Sequence, residues 1–399
     1  MENPLSHGFH SQAYTVSTPN GPITLSAVTY GPIAPDELVL ETAAVSVCAT
    51  DLKAAAGKFY SGPPMILGHE CAGTILEVGA AVPPTRFAPG DKVVLSYASC
   101  RSECPECVAG ANAYCRELVG LNFSGLRGDG STAAVDALGA GLRGHFFGQS
   151  SMGRRIVARA DCAVKVAAET TPEEMRLFAS LGCGFQTGTG AVFNVARPPP
   201  NSSICIFGAG SVGLAACLAA KLTAPARLVV VDHSAAKLAM LPECIREAAT
   251  HLIDSSGLTG EGQLVERLKE LTPGGLGFDY ALDCVGRGDL VKAGHLALKA
   301  RGMVISVGGS PDVALQVTLS QHLVRGITYR GTHQGDSVPS ISIPLMIDLW
   351  RQGKFPFDKL LTLYEFGELD NAIQDVKVGK VIKPVLVNLQ RRKWSNQVW

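Results

Sequence analysis

The 399-residue chain carries 35 basic and 35 acidic side chains, so its formal net charge at pH 7 is zero. This balance, with no extended lysine- or arginine-rich patch, excludes the strongly basic surface of a nucleic-acid-binding protein. Glycine accounts for 44 residues and charged side chains for 18%, which is typical of a globular chain with many tight turns and excludes a disordered one. At roughly 150 residues per domain, the length predicts two or three domains.

The sequence predicts neither secretion nor a membrane span. Residues 1–10 lack the basic start and apolar stretch of a signal peptide. The most apolar stretch, residues 204–220, is interrupted by glycines and is shorter than the ~20 residues that cross a bilayer. We therefore expect a soluble, cytoplasmic protein without a membrane partner. In that compartment its twelve cysteines would be metal ligands or thiols rather than disulfides.

The first 180 residues are predicted to be rich in β-structure. Alternating apolar residues, β-branched residues and Pro/Gly turns indicate the strands, at residues 23–28, 37–47, 71–78 and 92–95. Thr171 followed by Pro172 predicts a helix start with Thr171 as the N-cap. Residues 125–148 are rich in glycine with little periodicity, and we predict a loop there.

From residue 202 the pattern changes to strands that alternate with helices. The predicted strands are residues 204–207, 228–231, 251–253, 280–285 and 303–307. Such alternation is typical of a parallel, doubly wound sheet of the Rossmann type. Beyond about residue 329 the periodicity weakens, and residues 381–387 are predicted to be a last strand.

A glycine-rich turn between the first strand and helix of this second part predicts a dinucleotide site. Gly208, Gly210 and Gly213 form a G-x-G-x-x-G motif, and Asp232 ends the next strand at about the expected distance of 20 residues. The glycines allow a tight turn and close approach of the backbone to a pyrophosphate at the helix N-terminus. A carboxylate at Asp232 would bind a ribose 2′-hydroxyl and repel a 2′-phosphate, which favours NAD over NADP. The alternative is a plain β–α–β turn with an unrelated aspartate.

Four cysteines within sixteen residues predict a structural zinc site. They are Cys100, Cys104, Cys107 and Cys115. Four thiolates without an open coordination position suit a tetrahedral structural zinc ion. Four buried cysteines without a metal, or an iron–sulfur cluster, are the alternatives.

A second metal site is permitted but not determined by spacing. Cys48, His69 and Cys183 each lie in a segment that could hold a ligand. A single histidine beside a glycine is more often packed or hydrogen-bonded than metal-bound. The three residue types allow a Cys-His-Cys site with an open position, but nothing in their separation brings them together.

The order and separation of these motifs resemble one family. The motifs are Cys48-Ala-Thr50-Asp51, Gly68-His69-Glu70, the four-cysteine lobe, Cys183-Gly-Phe-Gln-Thr187-Gly and Gly208-Ala-Gly-Ser-Val-Gly213. The chain thereby resembles a zinc-dependent alcohol dehydrogenase of the medium-chain dehydrogenase/reductase superfamily, over about residues 15–387. Residues 144–151, 335–339, 353–359 and 380–384 resemble the aryl- or benzyl-alcohol branch of that family.

The resemblance implies an α/β fold with two kinds of domain. A GroES-like, β-rich catalytic domain would cover residues 1–184 and include the four-cysteine lobe at about residues 97–118. A Rossmann domain that binds NAD in a doubly wound parallel sheet would cover residues 185–328. The chain would then return to the catalytic domain over residues 329–399. A homodimer or homotetramer is also implied, through a Rossmann edge strand near residues 303–307.

The resemblance further implies the roles of the metal and catalytic residues. The ligands of a catalytic zinc ion would be Cys48, His69 and Cys183, with the fourth position left for water or substrate oxygen. Glu70 would lie just behind the metal, and Asp51 would accept a hydrogen bond from His69 and fix its tautomer. Thr50 would hydrogen-bond the alcohol and begin a proton relay. A structural zinc ion would occupy the four-cysteine lobe.

The residues near NAD are implied in the same way. They would be Thr187 and Val212 at the nicotinamide, Lys237 at the adenosine and Lys383 at the pyrophosphate. Two positions depart from the family pattern on this side of the site. Ala49 replaces a basic residue that some relatives place against the pyrophosphate, which should weaken cofactor binding and speed its release. Lys53 stands where many relatives carry a histidine, so the relay either uses Lys53, ribose and water or ends at Thr50.

The remaining cysteines are predicted to be core thiols. They are Cys71, Cys162, Cys205, Cys217, Cys244 and Cys284. A further departure from the family pattern concerns the lobe, since three residues rather than the usual two separate Cys100 from Cys104.

These observations predict an oxidoreductase that depends on zinc and NAD. It would interconvert a primary alcohol, next to an aromatic or conjugated system, and its aldehyde, with hydride transfer to or from NAD. The expected partners are this small molecule and further copies of the chain, and no nucleic acid. One alternative is a non-redox enzyme on the same scaffold that catalyses cyclisation, elimination or isomerisation. A cofactor-binding structural protein is the other, which loss of the zinc ligands would indicate.

Overall fold

Three β-sheets organise the residues that the computed structural model describes, which are 8–59, 61–100, 103–258, 262–309 and 313–388. Both ends of the predicted catalytic domain, residues 1–7 and 389–399, lie outside the described residues. Two of the sheets contain the N-terminal part of the chain, and the third is formed by its middle part.

The N-terminal part is rich in strands, as its alternating apolar pattern predicts. The strands are β1 (Phe9–Val16), β2 (Thr24–Tyr30), β3 (Glu37–Ser46), β4 (Met65–Ile66), β5 (Cys71–Val78), β6 (Lys92–Leu95), β7 (Ala134–Asp136), β8 (Gly141–Leu142), β9 (Arg155–Arg159) and β10 (Ala163–Lys165). One five-stranded sheet has the order β4-β1-β2-β7-β8. In the other, β3 pairs with both β5 and β9, and most of its residues are buried.

The middle part forms a parallel six-stranded sheet, as the alternation of strands and helices predicts. Its strands are β11 (Ser203–Phe207), β12 (Arg227–Asp232), β13 (His251–Asp254), β14 (Phe278–Asp283), β15 (Leu298–Ser306) and β16 (Thr328–Gly331). Their order is β13-β12-β11-β14-β15-β16. The order reverses beside β11, so a crevice opens at the carboxyl end of that strand, which is where doubly wound sheets bind their ligands.

The prediction that residues 303–307 form the edge of this sheet is wrong. Met303 pairs with Thr328, so β16 covers that side of β15 and is itself the edge strand. All four residues of β16 are exposed, and it therefore lacks the apolar pattern that identifies the inner strands. Because β16 crosses the predicted boundary at 328/329, we propose that the Rossmann domain ends after Gly331.

The chain then returns to the second N-terminal sheet. β17 (Leu361–Glu365) and β18 (Lys383–Val387) complete its order, β10-β6-β5-β3-β18-β17, with β9 also paired to β3. Val385 of β18 lies opposite Ser46 of β3 in antiparallel pairing. This pairing brings Lys383, about 330 residues later in the chain, beside the segment that follows β3.

Helices cover the sheets and join them. They are α1 (Ala49–Ala55), α2 (Pro105–Val108), α3 (Leu118–Phe123), α4 (Pro172–Phe178), α5 (Gln186–Gly190), α6 (Ser211–Lys221), α7 (Ala235–Ala239), α8 (Glu243–Ala248), α9 (Gln263–Glu270), α10 (Gly288–Ala297), α11 (Leu319–Arg325), α12 (Pro339–Arg351) and α13 (Leu369–Lys377). The predicted start of α4 is confirmed, since Thr171 and Glu174 form a reciprocal capping box. Among the described residues, no helix combines the length and apolar character needed to cross a bilayer.

The glycine-rich segment 125–148 is more ordered than predicted, since it contains β7 and β8. A buried carboxylate anchors it: Glu37 accepts a hydrogen bond of 2.8 Å from Arg127 Nε and lies 2.9 Å from His145 Nε2. Burial by itself would raise the pKa of the Glu37 carboxyl, but the hydrogen bonds from His145 and Arg127 outweigh it and lower the pKa to about 2. The charged Glu37 thus fixes the chain immediately before Phe146.

The predicted core thiols divide into two groups. Cys71, Cys162, Cys205 and Cys217 are buried, as predicted, whereas Cys244 and Cys284 are only partly buried. Burial raises the pKa of the Cys71 and Cys205 thiols, so both stay protonated and pack as small apolar groups.

Candidate active site

Three distant segments bring Cys48, His69, Glu70 and Cys183 to one point. Each residue offers one ligand atom, and all four atoms lie within 4.8 Å of one another. Cys48 is the N-cap of α1, and His69 and Glu70 directly precede β5. Cys183 lies in the π-helical turn Leu181–Phe185 that leads into α5. No sequence spacing predicts this cluster, because the pairing of strands distant in the chain assembles it.

The residues of this cluster fit a zinc ion. His69 Nδ1 donates a 2.8 Å hydrogen bond to Asp51, whereas the buried Nε2 atom has no hydrogen-bond partner among the described residues. A neutral imidazole with Nδ1 protonated presents the Nε2 lone pair, which is the form that binds a metal. Two thiols and an imidazole, with a carboxylate beside them, form a donor set typical of zinc. The unpartnered nitrogen therefore indicates a metal position rather than a packed histidine.

Asp51 ties two ligand segments together. Its carboxylate accepts hydrogen bonds from the backbone N–H groups of Cys48, at 3.0 Å, and Gly68, at 3.1 Å, in addition to the one from His69. Thr50 lies beside it in the first turn of α1 and is half-buried. Lys53, one turn further along α1, is exposed, so the structure does not bring its side chain into the buried cluster.

Lys383 is almost fully buried, whereas the resemblance implied a position at the pyrophosphate. Its Nζ atom is 2.7 Å from the Glu70 carboxylate and donates a second hydrogen bond, at 3.2 Å, to the Val47 carbonyl. Burial by itself would lower the pKa of Lys383, but the neighbouring Glu70 and Cys48 raise it above its usual value. Lys383 thus pairs with a buried carboxylate of the cluster itself, and it also lines the cavity described next.

A cavity of about 190 Å³ leads from Cys48 to the glycine-rich turn. Its polar and small lining residues include Cys48, Ala49, Gly210, Ser211, Lys237, Lys377 and Lys383. Lys377, on α13, had no sequence signal, because a single exposed lysine near a helix end is common on any surface. Three lysines therefore line a cavity that begins at Cys48, which suits an elongated anionic ligand.

The three motif glycines have the geometry of a pyrophosphate cradle. Gly208 has φ +101°, a conformation that side chains rarely adopt. A Cβ atom on Gly213 would lie 1.9 Å from the Gly208 carbonyl oxygen, so α6 approaches β11 more closely than any other residue allows. Gly210 has open space where a Cβ would stand. The open space lies at the N-terminus of the eleven-residue helix α6, whose unpaired N–H groups attract phosphate.

Asp232 is held at the end of β12 beside this cradle. Its two carboxylate oxygens accept hydrogen bonds from the backbone N–H groups of Ala209, at 2.8 Å, and Ser234, at 2.9 Å. The side chain is buried, with 6% of the residue exposed. The negative charge therefore has a fixed position next to the place where an adenine ribose would lie.

The helix α5, which contains Thr187, packs against α6, which contains Val212. Thr187 lies four residues after Cys183, on the same side of the helical segment. A Cβ atom on Gly188 would lie 2.1 Å from the Val212 carbonyl oxygen, so the two helices touch along their backbones. The Thr187 hydroxyl donates a 3.0 Å hydrogen bond to Gln334, a residue that the sequence did not suggest.

The four cysteines of the lobe also converge. The sulfur atoms of Cys100, Cys104, Cys107 and Cys115 lie within 4.8 Å of one another. Cys100 Sγ is 3.2 Å from Cys115 Sγ and 3.7 Å from Cys107 Sγ, separations that suit ligands of one tetrahedral zinc ion. Arg101 and Ser102, within the longer Cys100–Cys104 spacing, lie outside the described residues. The longer spacing does not prevent convergence.

Phenylalanine rings form a wall against the imidazole ring of His69. Phe147 stacks on the His69 ring at 4.8 Å between centroids, and Phe146 meets it edge-on at 5.8 Å. Phe123 contacts Phe147 at 5.2 Å, and Phe59 stacks on Phe123 at 5.5 Å. We call these four rings the aromatic wall. The sequence predicted a loop at Phe146 and Phe147 and did not identify the wall.

Comparisons with known proteins agree with this geometry. The family described as alcohol dehydrogenase GroES-like domain matches residues 34–168, and the one described as zinc-binding dehydrogenase matches residues 211–350. Geraniol dehydrogenase of Castellaniella defragrans is 37% identical over 378 residues, which is 94% of this chain and 97% of that protein.

Solved structures show the same relationship over the whole fold. Benzyl alcohol dehydrogenase from Acinetobacter calcoaceticus is 34% identical with a TM-score of 0.85, covering 95% of this chain and 99% of that one. An alcohol dehydrogenase zinc-binding domain protein from Burkholderia ambifaria is 35% identical with a TM-score of 0.87, at the same coverage.

The strand-rich N-terminal sheets, the parallel six-stranded sheet and the two matched families define a zinc-binding dehydrogenase. It has a GroES-like part and a Rossmann part, as predicted. The chain belongs to the zinc-dependent alcohol dehydrogenases of the medium-chain dehydrogenase/reductase superfamily. It is an enzyme that interconverts small-molecule alcohols and their carbonyl compounds with zinc and a nicotinamide cofactor. These relatives give no support to the non-redox alternative.

Proposed function

We propose that the substrate is a primary alcohol whose carbinol carbon is attached to an aromatic ring or a conjugated system. The aromatic wall carries this proposal, because flat unsaturated groups gain offset-stacked and edge-on contacts with phenylalanine rings. Phe147 is the ring nearest to the metal-binding histidine, stacked on His69. Two relatives are named after geraniol and benzyl alcohol. Both alcohols carry their hydroxymethyl group next to an unsaturated carbon.

The proposed chemistry assigns a task to each residue of the cluster. When bound, zinc lowers the pKa of the substrate hydroxyl, and NAD accepts a hydride from the carbinol carbon. Cys48, His69 and Cys183 hold the metal, and Asp51 keeps Nε2 of His69 available to it. The Glu70–Lys383 pair balances charge behind the ligands. Phe147 excludes water from the reacting atoms.

The proposed proton path runs along α1. Thr50 follows Cys48 in the first turn of α1 and is half-buried, which supports its hydroxyl as the group that accepts the alcohol proton. Lys53 lies three residues later, on the same side of the helix, and is exposed. Thr50 therefore passes the proton from the buried cluster toward solvent, and Lys53 stands at the outer end of this path.

We infer a preference for NAD over NADP. The fixed Asp232 carboxylate beside the cradle accepts hydrogen bonds from ribose hydroxyls and repels a 2′-phosphate. Gly208, Gly210 and Gly213 receive the pyrophosphate, with Lys237 and Lys377 on the cavity wall. Thr187 and Val212 contact the nicotinamide. Because Ala49 supplies no charge, these lysines carry the electrostatic contribution to cofactor binding.

Substrate preference tests the aromatic wall directly. Replacing Phe147 by alanine should lower kcat/KM for benzyl alcohol by about 10-fold, from lost area and stacking contacts, while a short aliphatic primary alcohol changes little. The measurement is NADH absorbance with benzylic, allylic and aliphatic alcohols. Phe9→Ala is the matched control, because Phe9 also stacks on an aromatic ring, Tyr30 at 4.9 Å, but lies away from the cluster. An equal loss for aliphatic and benzylic alcohols would contradict the proposed substrate class.

We infer further that the chain forms a homodimer through β16. Among the described strands none pairs with the outer side of β16, and such an edge pairs readily with a copy of itself across a two-fold axis. Leu319, Leu323 and Val324 on the neighbouring α11 are each about 80% exposed, which is costly without a partner. Light scattering should give twice the chain mass of 41.8 kDa, and Leu323→Asp should shift it toward the monomer. A wild-type monomer at micromolar concentration would overturn the inference.

A further inference from the structure

A single strained turn connects β16 to α12. It is the 3-10 turn Gln334–Asp336, in which Gln334, Gly335 and Asp336 all have positive φ, at 53°, 65° and 50°. Residues other than glycine adopt this region rarely, and two of them on either side of one glycine persist only where surrounding contacts hold the backbone. The contacts of this turn come from two sides of the molecule.

On one side the turn rests on α5, at the proposed nicotinamide site. Gln334 accepts the hydrogen bond from Thr187, and the Gly335 carbonyl accepts one of 2.9 Å from Asn194. The backbones touch: a Cβ atom on Gly335 would lie 2.4 Å from the Thr187 carbonyl oxygen, and one on Gly190 would lie 2.3 Å from the Gly335 carbonyl oxygen. A displacement of the turn would therefore move the groups around Thr187.

On the other side the turn is held by the four-cysteine lobe. The Tyr114 hydroxyl donates a 2.6 Å hydrogen bond to the Asp336 carboxylate, and Tyr114 directly precedes Cys115. Asp336 also accepts from Thr332, at 2.5 Å, and from Arg330, at 2.6 Å.

A second contact joins the same two parts of the chain. His333 Nδ1 lies 3.1 Å from the Ala113 carbonyl oxygen. On the lobe, these two contacts are made by Tyr114 and Ala113, the two residues immediately before Cys115. Two hydrogen bonds therefore join the lobe to the segment of the turn.

We propose that Tyr114 and Asp336 are positioning residues, through which the folded four-cysteine lobe supports the nicotinamide end of the cofactor site. The proposal rests on the proposed NAD site at Thr187. It gives the lobe a function beyond stability: the lobe fixes the strained turn that stands against Thr187. In the described part of the chain no hydrogen bond joins this turn to Gly210 or Asp232, at the adenosine and pyrophosphate end of the site, so that end should be independent of the turn.

The experiment compares two ligands that differ at the nicotinamide end. NADH and ADP-ribose share the adenosine and pyrophosphate, but ADP-ribose lacks the nicotinamide. Their dissociation constants are measured on zinc-loaded wild-type protein, Tyr114→Phe and Asp336→Asn, by NADH fluorescence and by displacement. Tyr114→Phe removes one hydroxyl and should weaken NADH binding by about 3- to 10-fold, the range of one hydrogen bond, with ADP-ribose unchanged.

The controls separate positioning from general stability. Tyr364→Phe removes a matched tyrosine–aspartate hydrogen bond, 2.9 Å to Asp375, and should leave NADH affinity unchanged. Zinc content and the midpoint of thermal unfolding are recorded for each variant. Asp336→Asn should raise the KM for NAD more than it lowers kcat, as Tyr114→Phe should.

Each outcome decides a different point. Unchanged NADH affinity in both variants, or equal weakening of NADH and ADP-ribose, would overturn the positioning role while leaving the proposed function intact. Failure of the wild-type protein to bind NADH would overturn the proposed function itself. Selective loss of NADH affinity with zinc retained would support the proposal.

Discussion

Replacing Cys48 by serine is expected to reduce kcat/KM for alcohol oxidation by at least about 10³-fold, since the metal contributes several kcal/mol to the transition state. Cys48 supplies one of the ligand atoms that lie within 4.8 Å of one another. A serine hydroxyl binds zinc weakly at neutral pH because it stays protonated. The measurement is NADH absorbance with benzyl alcohol, together with the zinc content of the purified protein.

Zinc content distinguishes loss of the metal from loss of the fold. The wild-type protein should contain two zinc ions per chain and Cys48→Ser one, because the lobe cysteines are untouched. Cys244→Ser is the matched control, since Cys244 is a partly buried thiol outside both clusters, and it should retain activity and both ions. A Cys48→Ser enzyme of near wild-type activity would contradict the assignment of this residue as a ligand.

Replacing Asp232 by serine is expected to lower kcat/KM for NAD by about 10- to 100-fold, the contribution of hydrogen bonds to a charged group. Activity with NADP should rise at the same time, because the negative charge that repels a 2′-phosphate is removed. The ratio of kcat/KM for NAD and NADP is the measured quantity, since it does not depend on the fraction of folded enzyme. This internal comparison matters because Asp232 also holds the backbone of Ala209 and Ser234.

Asp254→Asn serves as the matched control for this substitution. Asp254 ends β13, the neighbouring strand, and accepts a similar backbone hydrogen bond, from Ser256 at 2.9 Å. It is exposed and does not line the cavity. The cofactor ratio should therefore stay at the wild-type value in Asp254→Asn. An unchanged ratio in Asp232→Ser would show that the carboxylate does not select the cofactor.

The glycine-rich turn was accessible from the sequence because its function depends on local backbone geometry. Gly208 has a positive φ, and the backbone around Gly213 leaves no space for a side chain within the same strand–turn–helix unit. The spacing to Asp232 follows from the length of one helix and one strand. Such requirements act over about 25 residues, and they leave a readable pattern in the chain.

The inner strands of the parallel sheet could be predicted from the sequence for a related reason. Each strand between two others is buried on both faces, so apolar and β-branched residues accumulate along it, as in β11 and β12. The exposed edge strand β16 has no such constraint and was missed. Its place in the sheet depends on pairing with β15, which the pattern of its own four residues does not encode.

The cluster of Cys48, His69, Glu70 and Cys183 depends on tertiary structure alone. Cys48, His69 and Cys183 carry no mutual spacing, and their convergence depends on the pairing of β3 with β5 and on the π-helical turn before α5. The partner of Glu70 is more distant still, since Lys383 arrives through the pairing of β18 with β3. Family resemblance named the ligand residues, but not the pairing of Lys383 with Glu70.

The sequence by itself determined the class of each domain, the dinucleotide motif and the four-cysteine lobe, because each depends on periodicity or on ligands within a short stretch. The tertiary structure alone decided the aromatic wall, the third lysine of the cavity and the contact of Tyr114 with Asp336. These contacts join residues far apart in the chain, and their formation depends on the packing of whole elements. No local pattern of residue types records such packing.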